Sequence, residues 1–318
     1  MQSPAIPDNE EQRLKSLHIT GLLDTCNDER FERLTRLARK AFQVPVALIS
    51  LLDRDRQWLL ACQGLGIRET PRSISFCGHA ILNGGPFIIH DAAADARFRD
   101  NPLVTGEPFI RFYAGHPVHL PDGTVAGALC LIHTTPRCFT EDDIAALRDL
   151  ACIVEDEFLA INMAMTDSLT GIPNRRGFYH AGEKLLRTQK LHDEPFSLLY
   201  FDLDKFKPIN DLWGHAEGDE VLKTFAAFLY QHLEPGESAG RLGGDEFAVL
   251  IRRNGKAESF LHALSISVKD NNESSGKPYN INYSYGAVTS NPGQYATLQD
   301  MLRKCDEVMY LTKKRKHL

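Results

Sequence analysis

Short apolar runs bounded by glycine, proline or aspartate fill the first half of the chain and predict β-strands. Four such runs lie at residues 44–53, 56–62, 86–91 and 116–133. Pro121-Asp122-Gly123 interrupts the last run and predicts the turn of a β-hairpin. Before the strands, apolar residues at steps of three and four from Phe31 to Ala41 predict a helix, with Asn27 or Asp28 as its cap. We therefore expect an antiparallel sheet flanked by helices, an α+β arrangement.

A longer helical pattern connects the two halves of the chain. Its apolar positions, here called the seam, are Ile144, Leu147, Ala151, Val154, Phe158, Ile161 and Met165. Thr140 and Asp143 form a capping box at its start. The spacing is typical of a two-stranded coiled coil, and also of an amphipathic helix packed on its own domain. We favour a parallel dimeric helix over residues 140–166, because the pattern ends directly at a second set of motifs.

In the second half, strand and helix patterns alternate, which predicts a sheet covered by helices on both faces. Predicted strands lie at 195–204, 239–242, 247–251 and 281–288, and predicted helices at 218–229 and 298–314. Gly243, Gly244, Asp245 and Glu246 form the turn between the second and third of these strands. Glycines at such a turn either take a positive φ or leave room for a bulky ligand to approach the backbone.

The composition narrows the classes of protein to which the chain can belong. With 318 residues, 43% of them hydrophobic, the chain is large enough for two domains. No run approaches the ~20 apolar residues of a membrane helix, and the N-terminus lacks the pattern of a signal peptide. Seven cysteines with no paired spacing predict reduced thiols, and a net charge of −6 argues against a nucleic-acid-binding surface. We therefore expect a cytoplasmic protein that binds neither membrane nor nucleic acid.

Acidic side chains gather at one strand end and on the glycine turn. Asp202 and Asp204 end an apolar strand, and the turn carries Asp245 and Glu246. Each acid taken alone would be a solvated surface residue. Together, carboxylates at a strand end and on a hairpin suit Mg²⁺, which prefers hard oxygen ligands.

Residues 167–318 resemble a GGDEF domain, the catalytic module of diguanylate cyclases. The resemblance rests on five ordered blocks: DSLTGIPNRR (167–176), FDLDKFKPINDLWGHAEGDEVL (201–222), RLGGDEF (241–247), YSYGAV (283–288) and CDEVMYLTK (305–313). It implies a palm-like fold with a central sheet of mixed strand direction. It also implies the condensation of two GTP molecules into cyclic di-GMP, with release of two pyrophosphates.

The resemblance implies roles for individual residues. Asp202, Asp245 and Glu246 would be catalytic and, with the backbone carbonyl of Leu203, would bind two Mg²⁺, for which Mn²⁺ could substitute. The residues implied for GTP binding are Asn210, Asp219, His215, Phe206, Lys207, Gly243, Gly244 and Lys313. The Asp219 carboxylate would accept hydrogen bonds from the N1–H and 2-amino groups of guanine. Adenine offers a ring acceptor instead, so we expect GTP to be preferred over ATP.

Two regions depart from the family pattern. Near the C-terminus, His317 stands in the place of a phosphate-binding arginine, with Arg315 and Lys314 as possible substitutes. Glu234 and Glu237 stand where many cyclases carry the arginine and aspartate of an inhibitory product-binding motif. Because two acids cannot replace an arginine that binds phosphate, we expect weak or absent feedback inhibition through that site.

The first half is similar to a GAF domain, a small-molecule or regulatory module. The similarity rests on LDTCNDERFERLTRLA, VPVALISLLDRDRQW, SFCGHAI, NPLVTGEPFIRFYAGHPVHLPDGTVAGALCLIH and the helix that follows. It does not identify a ligand. Cys77-Gly78-His79 allows metal, haem or bilin binding, although a free Cys near a His is more often part of a core. Arg111-Phe112-Tyr113 suits a pocket mouth or sheet packing equally well.

These patterns predict four segments: an N-terminal extension (1–14), a GAF sensory domain (15–139), a coiled-coil-like linker helix (140–166) and a GGDEF domain (167–318). The expected function is a diguanylate cyclase that forms a homodimer through residues 140–166 and the GAF domain, where an unknown signal regulates it. One alternative is a catalytically silent module that binds GTP. Another is a scaffold whose output is dimerisation itself. We expect no further domain with phosphodiesterase activity.

Overall fold

The computed structural model describes residues 1–25, 28–82, 84–192, 195–234, 236–252, 256–291 and 293–316. The chain divides into two compact units, Met1–Asn162 (unit 1) and Met163–Leu318 (unit 2). Among the described residues, no helix has the length and apolar character needed to cross a membrane.

Unit 1 is built on a six-stranded sheet in which every strand pair is antiparallel. The strands are β1 (Val46–Leu52), β2 (Arg56–Gln63), β3 (Glu69–Pro71), β4 (Phe87–Ile89), β5 (Phe112–His119) and β6 (Val125–His133). They lie in the order β3-β2-β1-β6-β5-β4. The helices are α1 (Glu10–Ile19), α2 (Glu29–Ala41), α3 (Phe76–Ala80), α4 (Pro102–Thr105) and α5 (Glu141–Met165), with a 3-10 helix at Arg72–Ile74.

Local sequence signals account for much of this unit. The predicted hairpin forms β5 and β6, and Gly123 takes a φ of 82° in its turn, a value that favours glycine. Asp28 caps α2 by accepting a hydrogen bond from the backbone N–H of Arg30, while Asn27 lies outside the described residues. Every residue of the central strand β1 is buried, as expected of a strand with packed elements on both faces.

The helix α5 begins as predicted but packs differently from the coiled-coil prediction. The Thr140 hydroxyl accepts a hydrogen bond from the Asp143 N–H, and the Asp143 carboxylate accepts one from the Thr140 N–H, so the capping box forms. Five seam residues are buried, and the Phe158 ring lies 5.5 Å from the Phe31 ring of α2. The seam therefore faces unit 1, as in the alternative of an amphipathic helix on its own domain.

The helix α1 was not predicted, and a buried ion cluster holds it in unit 1. The Glu10 carboxylate accepts hydrogen bonds from Arg13, one turn along α1, and from Arg72 of the 3-10 helix. Arg13 is only 1% exposed. Burial opposes ionisation of Glu10, but the two guanidinium groups outweigh it and lower the pKa of Glu10 to about 2.

Unit 2 contains a four-stranded sheet in the order β10-β7-β9-β8. The strands are β7 (Phe196–Leu203), β8 (Ser238–Gly243), β9 (Glu246–Arg252) and β10 (Tyr283–Ser290). The helices are α6 (Arg175–His192), α7 (Phe206–Trp213), α8 (His215–Gln231), α9 (Lys256–Ser274) and α10 (Leu298–Lys316). All four strands pair antiparallel, and a parallel pairing occurs as an isolated bridge between Asn174 and Arg241. The named strands thus form an antiparallel sheet, not the mixed sheet that was expected.

Helices cover both faces of this sheet, as predicted, and alternate residues of β7 pack against them. Leu199, Phe201 and Leu203 pack in a core with residues of α8 and α9. Leu198 and Tyr200 point to the opposite face and pack with residues of α6 and α10. Because side chains alternate between faces along a strand, Asp202 continues the second of these faces.

Candidate active site

Two predicted catalytic residues stand directly opposite each other where β7 and β9 meet. Asp202 is the cross-strand partner of Glu246 in the antiparallel pair. Directly opposite residues project from the same face of a sheet, so the two carboxyl groups share the face that α6 and α10 cover. The third residue, Asp245, precedes β9, and its backbone carbonyl accepts a hydrogen bond from the Leu203 N–H at 3.2 Å. The structure therefore brings the three predicted catalytic residues together at one end of the sheet.

Negatively charged groups are crowded at the end of the sheet that carries Asp202, Asp245 and Glu246. Burial raises the pKa of Asp245, and the nearby carboxylates of Asp202 and Glu246 raise it further, against the opposing effect of Lys313. Burial, together with the nearby Glu246 carboxylate, raises the pKa of the Tyr200 hydroxyl. A raised carboxyl pKa in a partly open site is a recognised feature of functional centres.

Lys313 supplies the positive charge that faces these acids. It lies near the end of α10, and its Nζ donates to Asp202 Oδ1 at 2.5 Å. The ion pair is partly exposed, at 30% for the lysine side chain and 25% for the aspartate. The structure thus places Lys313, which is predicted to bind the triphosphate, beside Asp202, which is predicted to bind the metal.

The oxygen donors of this site fit a divalent cation in their chemistry. Asp202, Asp245 and Glu246 present hard carboxylate oxygens, and the pKa of Asp245 responds to both neighbours. In the described ranges, no three His, Cys, Asp or Glu side chains already converge as a complete metal site. Asp204, the other acid of the strand end, accepts a hydrogen bond from the Ser284 hydroxyl at 2.8 Å instead.

Arg241 connects the turn of the β8–β9 hairpin, here called the signature hairpin because it carries Gly243, Gly244, Asp245 and Glu246, to Asp167. We call this connection the hairpin brace, and it was not predicted from the sequence. Arg241 donates from Nε and Nη2 to the Gly244 carbonyl, at 3.0 and 2.8 Å. Its Nη1 donates to Asp167, which also accepts hydrogen bonds from the N–H and hydroxyl of Thr170. The first residue of the DSLTGIPNRR block therefore positions the turn that carries Asp245. An arginine placed shortly before the two glycines was the available signal for this contact.

Gly243 and Gly244 do not serve one of the two roles predicted for them, which was a positive φ. Neither Gly243 nor Gly244 has a positive φ, so left-handed backbone is not the reason for glycine at the turn. A Cβ at Gly243 would lie 3.1 Å from Glu246 Oε2, and a Cβ at Gly244 would project into open space. Bare backbone facing open space agrees with room for a ligand to approach.

Five of the residues predicted to bind GTP lie on α7 and α8, whereas Gly243, Gly244 and Lys313 lie on the hairpin and on α10. Phe206 and Lys207 are the first two residues of α7, where backbone N–H groups have no acceptor within the helix. Asn210 of α7 packs against Gly218 of α8 so closely that a Cβ at Gly218 would lie 1.9 Å from Asn210 Oδ1. Asp219 is the next residue of α8. His215 begins this helix and is exposed.

Of the two regions that depart from the family pattern, the structure describes the side chains of only one. Of Lys314 and Arg315 the structure describes only the backbone, and His317 lies outside the described residues. Glu237 accepts hydrogen bonds from the backbone N–H groups of Glu234 and Arg252, and burial raises its pKa. Glu234 pairs with Lys256. The two acids therefore serve local contacts next to β8 and β9.

In unit 1, the side chains of Cys77 and His79 make separate contacts. His79 Nε2 lies 3.0 Å from the Gln2 carbonyl, and its ring contacts Phe98. Cys77 instead faces Cys130, at 3.1 Å between the sulfur atoms. In the run Arg111-Phe112-Tyr113, Phe112 packs on Phe139, whereas Tyr113 lines a small cavity of unit 1.

Comparison with known proteins identifies both units. The family model described as "Diguanylate cyclase, GGDEF domain" matches residues 164–317, and the GAF domain model matches residues 27–155. The chain is 45% identical over 177 residues to a protein of Pseudomonas aeruginosa named as a cyclic di-GMP phosphodiesterase, covering 55% of this chain and 30% of that protein. It is 33% identical over 163 residues to the diguanylate cyclase DgcP of Escherichia coli, covering 47% of this chain and 48% of that protein.

One solved structure also aligns with part of the chain. The coiled coil and GGDEF domain of DgcB from Caulobacter crescentus, in complex with c-di-GMP, aligns with a TM-score of 0.48 and 24% identity. The alignment covers 54% of this chain and 91% of that one. The chain spans less than half the length of the two curated relatives named above. By the two family models, the chain consists of a GAF domain followed by a GGDEF domain.

Proposed function

We propose that the chain is a diguanylate cyclase, which condenses two GTP molecules into cyclic di-GMP and releases two pyrophosphates. The observation that carries the proposal is that Asp202 stands opposite Glu246 at one end of the unit 2 sheet, next to Asp245 and in contact with Lys313. Crowded carboxylates cost stability, and they suit a site that receives divalent cations and phosphates. The GGDEF description and the relative named as a diguanylate cyclase support the same activity.

In this proposal, the oxygens of Asp202, Asp245, Glu246 and the Leu203 backbone carbonyl hold Mg²⁺. When bound, the metal supplies charge neutralisation for the triphosphate and activation of the attacking 3′-hydroxyl. Lys313 exchanges its contact with Asp202 for one with the triphosphate. The chain's own contribution is to hold these groups on adjacent strand ends, where the hairpin brace limits their movement.

The nucleotide is held by the elements beside the carboxylates. The first-turn N–H groups of Phe206 and Lys207 donate to phosphate oxygens, because a helix N-terminus favours anions. Asn210 and Asp219 recognise the guanine edge, and His215 lies beside them at the start of α8. The bare backbone at Gly244 leaves room for the nucleotide over the hairpin.

The reaction joins two nucleotides held by two GGDEF domains, so the proposal requires a homodimer. The seam is buried in unit 1, and a second chain therefore needs another face of α5. Ile153, Leu159 and Met163 are 42%, 45% and 72% exposed on the opposite side of this helix, together with the exposed Cys152. We assign this face, with the GAF domain, to contact with a second copy, and a signal at the GAF domain regulates that contact.

The phosphodiesterase activity in the name of the Pseudomonas relative is not proposed for this chain. The match covers 30% of that protein, which leaves most of it without a counterpart here. The residues that carry our proposal lie within the GGDEF match, at 164–317.

The proposal is tested by product analysis of the full chain with GTP and Mg²⁺. We expect cyclic di-GMP from the unmodified protein, at a rate per chain that rises with protein concentration until the dimer is saturated. Glu246→Gln keeps the size of the side chain but removes its charge, and we expect no product from it. Glu258→Gln, an exposed glutamate on α9, is the matched control and should retain activity.

Three further results distinguish the alternatives. GTP binding without product at any protein concentration would favour the silent binding module. Dimerisation without GTP binding would favour the scaffold. Faster turnover of ATP than of GTP would contradict the roles of Asn210 and Asp219 in base recognition.

The dimer face is tested by oxidative cross-linking. If α5 pairs with its copy in parallel through the exposed face, Cys152 of each chain lies near the other and a covalent dimer forms. Cys152→Ser should abolish that dimer, while Cys138→Ser, at another exposed thiol, should not. A covalent dimer that survives Cys152→Ser would place the contact elsewhere.

A further inference from the structure

Two thiols and a phenol meet in the core of unit 1, and none of them belongs to the candidate active site of unit 2. Cys77 of α3 and Cys130 of β6 are 3% and 0% exposed, with 3.1 Å between their sulfur atoms. The Tyr113 hydroxyl lies 3.4 Å from the first sulfur and 3.1 Å from the second. They lie in the hydrophobic core of unit 1, with the buried hydroxyls of Ser50 and Ser75 among the polar groups of that core. Three polar groups in contact there form a specific site.

The local backbone is built to bring these groups together. Tyr113 and Gly115 lie two residues apart on β5, and Gly115 is the cross-strand partner of Cys130. A Cβ at Gly115 would lie 2.3 Å from the Tyr113 hydroxyl, so glycine leaves the space that this hydroxyl occupies. Ser75 caps α3 by accepting a hydrogen bond from the Gly78 N–H at 3.0 Å, which fixes the turn that carries Cys77.

A cavity gives a small molecule access to this site. It has a volume of about 40 Å³, enough for a molecule slightly larger than water, and both Cys77 and Tyr113 line it. Ile67, which is 45% exposed, also lines it and marks its side toward the solvent. Thr70 contributes a buried hydroxyl that has no hydrogen-bond partner among the described residues. The cavity is therefore lined mostly by apolar side chains, and Thr70 adds a hydroxyl that can bind a polar molecule.

The two thiols differ in their readiness to ionise. Burial opposes ionisation of Cys77, but the contacts of its sulfur with Cys130 and with the Tyr113 hydroxyl favour the thiolate, and the pKa of this thiol is lowered. Burial raises the pKa of Cys130. One thiol is thus prepared to act as a nucleophile and the other to remain protonated until it is needed, a division of roles that suits disulfide formation.

We propose that Cys77 and Cys130 form a redox site that reacts with a hydroperoxide and closes to a disulfide. The Cys77 thiolate attacks one oxygen of the O–O bond, which yields a sulfenic acid and releases hydroxide, or an alkoxide from an organic peroxide. Cys130 then attacks the Cys77 sulfur, the S–S bond forms, and the sulfenic oxygen leaves as water with the Cys130 proton. Both thiols lose one electron each, and hydrogen peroxide is reduced to two waters.

Closing the disulfide changes the packing of unit 1. The sulfur atoms must approach from 3.1 Å to about 2.05 Å, which draws α3 toward β6. Tyr113 then loses thiol partners within the core. A hydroperoxide is in this way a chemical signal that unit 1 can register, independently of whether unit 2 turns over GTP.

The experiment is a peptide map of the full chain after graded treatment with hydrogen peroxide. Free thiols are alkylated in denaturant, and the protein is cut with trypsin without reduction. Trypsin places Cys77 in peptide 73–97 and Cys130 in peptide 112–137, each as the single cysteine of its peptide. We expect these two peptides to appear as one cross-linked species, two hydrogens lighter than their sum, which disappears on reduction.

Variants separate the two roles. Cys130→Ser should accumulate a sulfenic acid at Cys77, captured by dimedone, and Cys77→Ser should leave Cys130 as a free thiol. Tyr113→Phe removes a hydrogen bond to the nucleophile and should slow cross-linking about tenfold. Cys62→Ser is the matched control, since burial raises the pKa of this neighbouring thiol to about 11 and it should not affect the cross-link.

Two results would overturn the proposal. One is complete alkylation of both Cys77 and Cys130 at a peroxide dose that oxidises the exposed Cys138 and Cys152. The other is a cross-link that forms only after the protein has been unfolded. Both are read from the unmodified chain, so they do not depend on the folding of any variant.

Discussion

The two units use charged side chains in opposite ways on similar antiparallel sheets. In unit 1, the Glu10 carboxylate lies between the guanidinium groups of Arg13 and Arg72, and its pKa falls to about 2. In unit 2, Asp245 lies near two other carboxylates, and its pKa rises. In the first arrangement, the negative charge is paired with positive charges of the protein itself. The second gathers like charges that only an external cation can fully neutralise.

The difference separates structural charge from functional charge. A buried carboxylate with matched partners stabilises the fold, and removing it leaves uncompensated charge behind. A carboxylate held among like charges destabilises the fold, so its presence points to another role. Variants in the two units should therefore have opposite effects on stability and activity.

The largest expected effect is the loss of activity in Asp245→Asn. We expect cyclic di-GMP formation to fall at least about a thousandfold, because a ligand of the metal is lost. The pKa of Asp245 is raised in the folded state, so the wild type loses stability as the pH rises through that pKa, and the variant does not. Calorimetry of the unit 2 transition at neutral pH should show no loss of stability. A clear loss would mean that this carboxylate stabilises the fold.

Glu10→Gln should show the reverse behaviour. A folded-state pKa of about 2 against an ordinary 4.5 corresponds to about 3 kcal/mol of stability at neutral pH. This contribution is present above about pH 4.5 and is lost as the pH falls toward 2. Urea unfolding of unit 1 should therefore show a deficit in the variant that shrinks below pH 4.5. A deficit that does not change with pH would contradict the ion-pair explanation, and Glu29→Gln at an exposed pair is the control.

Arg241→Lys tests the brace that links the DSLTGIPNRR block to the hairpin. Lysine keeps the charge but cannot donate to Gly244 and Asp167 in the same fixed geometry. We expect turnover to fall about tenfold, because the carboxylates lose their exact placement. The Mg²⁺ concentration required for half activity should rise. Arg303→Lys, at an exposed ion pair on α10, should change neither quantity.

The smallest expected effect concerns feedback by the product. Glu234 and Glu237 are engaged with Lys256 and with backbone N–H groups, and neither supplies a positive charge for phosphate. We expect added cyclic di-GMP to change the initial rate less than about twofold through this region. Submicromolar, non-competitive inhibition that is lost in Glu234→Ala would show that the product binds there after all.

Several features could be predicted because their causes lie close together in the sequence. The capping box of Thr140 and Asp143, the turn at Gly123 and the cap at Asp28 depend on residues within three positions of one another. The meeting of Asp202 with the signature acids was implied by the ordered family blocks, and the strand pairing confirms that they converge. The helices on both faces of the unit 2 sheet followed from the alternation of patterns.

Other features were missed because their partners are distant. The seam of α5 has a spacing that serves a coiled coil or a single domain equally well, and packing against Phe31 decided between them. The hydrogen bond between Arg241 and Asp167 joins residues 74 positions apart. An all-antiparallel order of the named unit 2 strands likewise depends on which strands meet, not on their individual patterns.

Local sequence patterns were sufficient to predict the two domains, their turns and caps, and the residues that we propose for a cyclase site. Periodicity and turn-forming residues act over a few positions, and the order of the motifs can be read from the sequence directly. The tertiary structure alone decided what the seam covers, what braces the hairpin and which thiols meet. Cys77 and Cys130 lie 53 residues apart, and only the packing of α3 on the sheet brings their sulfur atoms into contact. Contacts of this kind depend on how elements pack together, which no local pattern records.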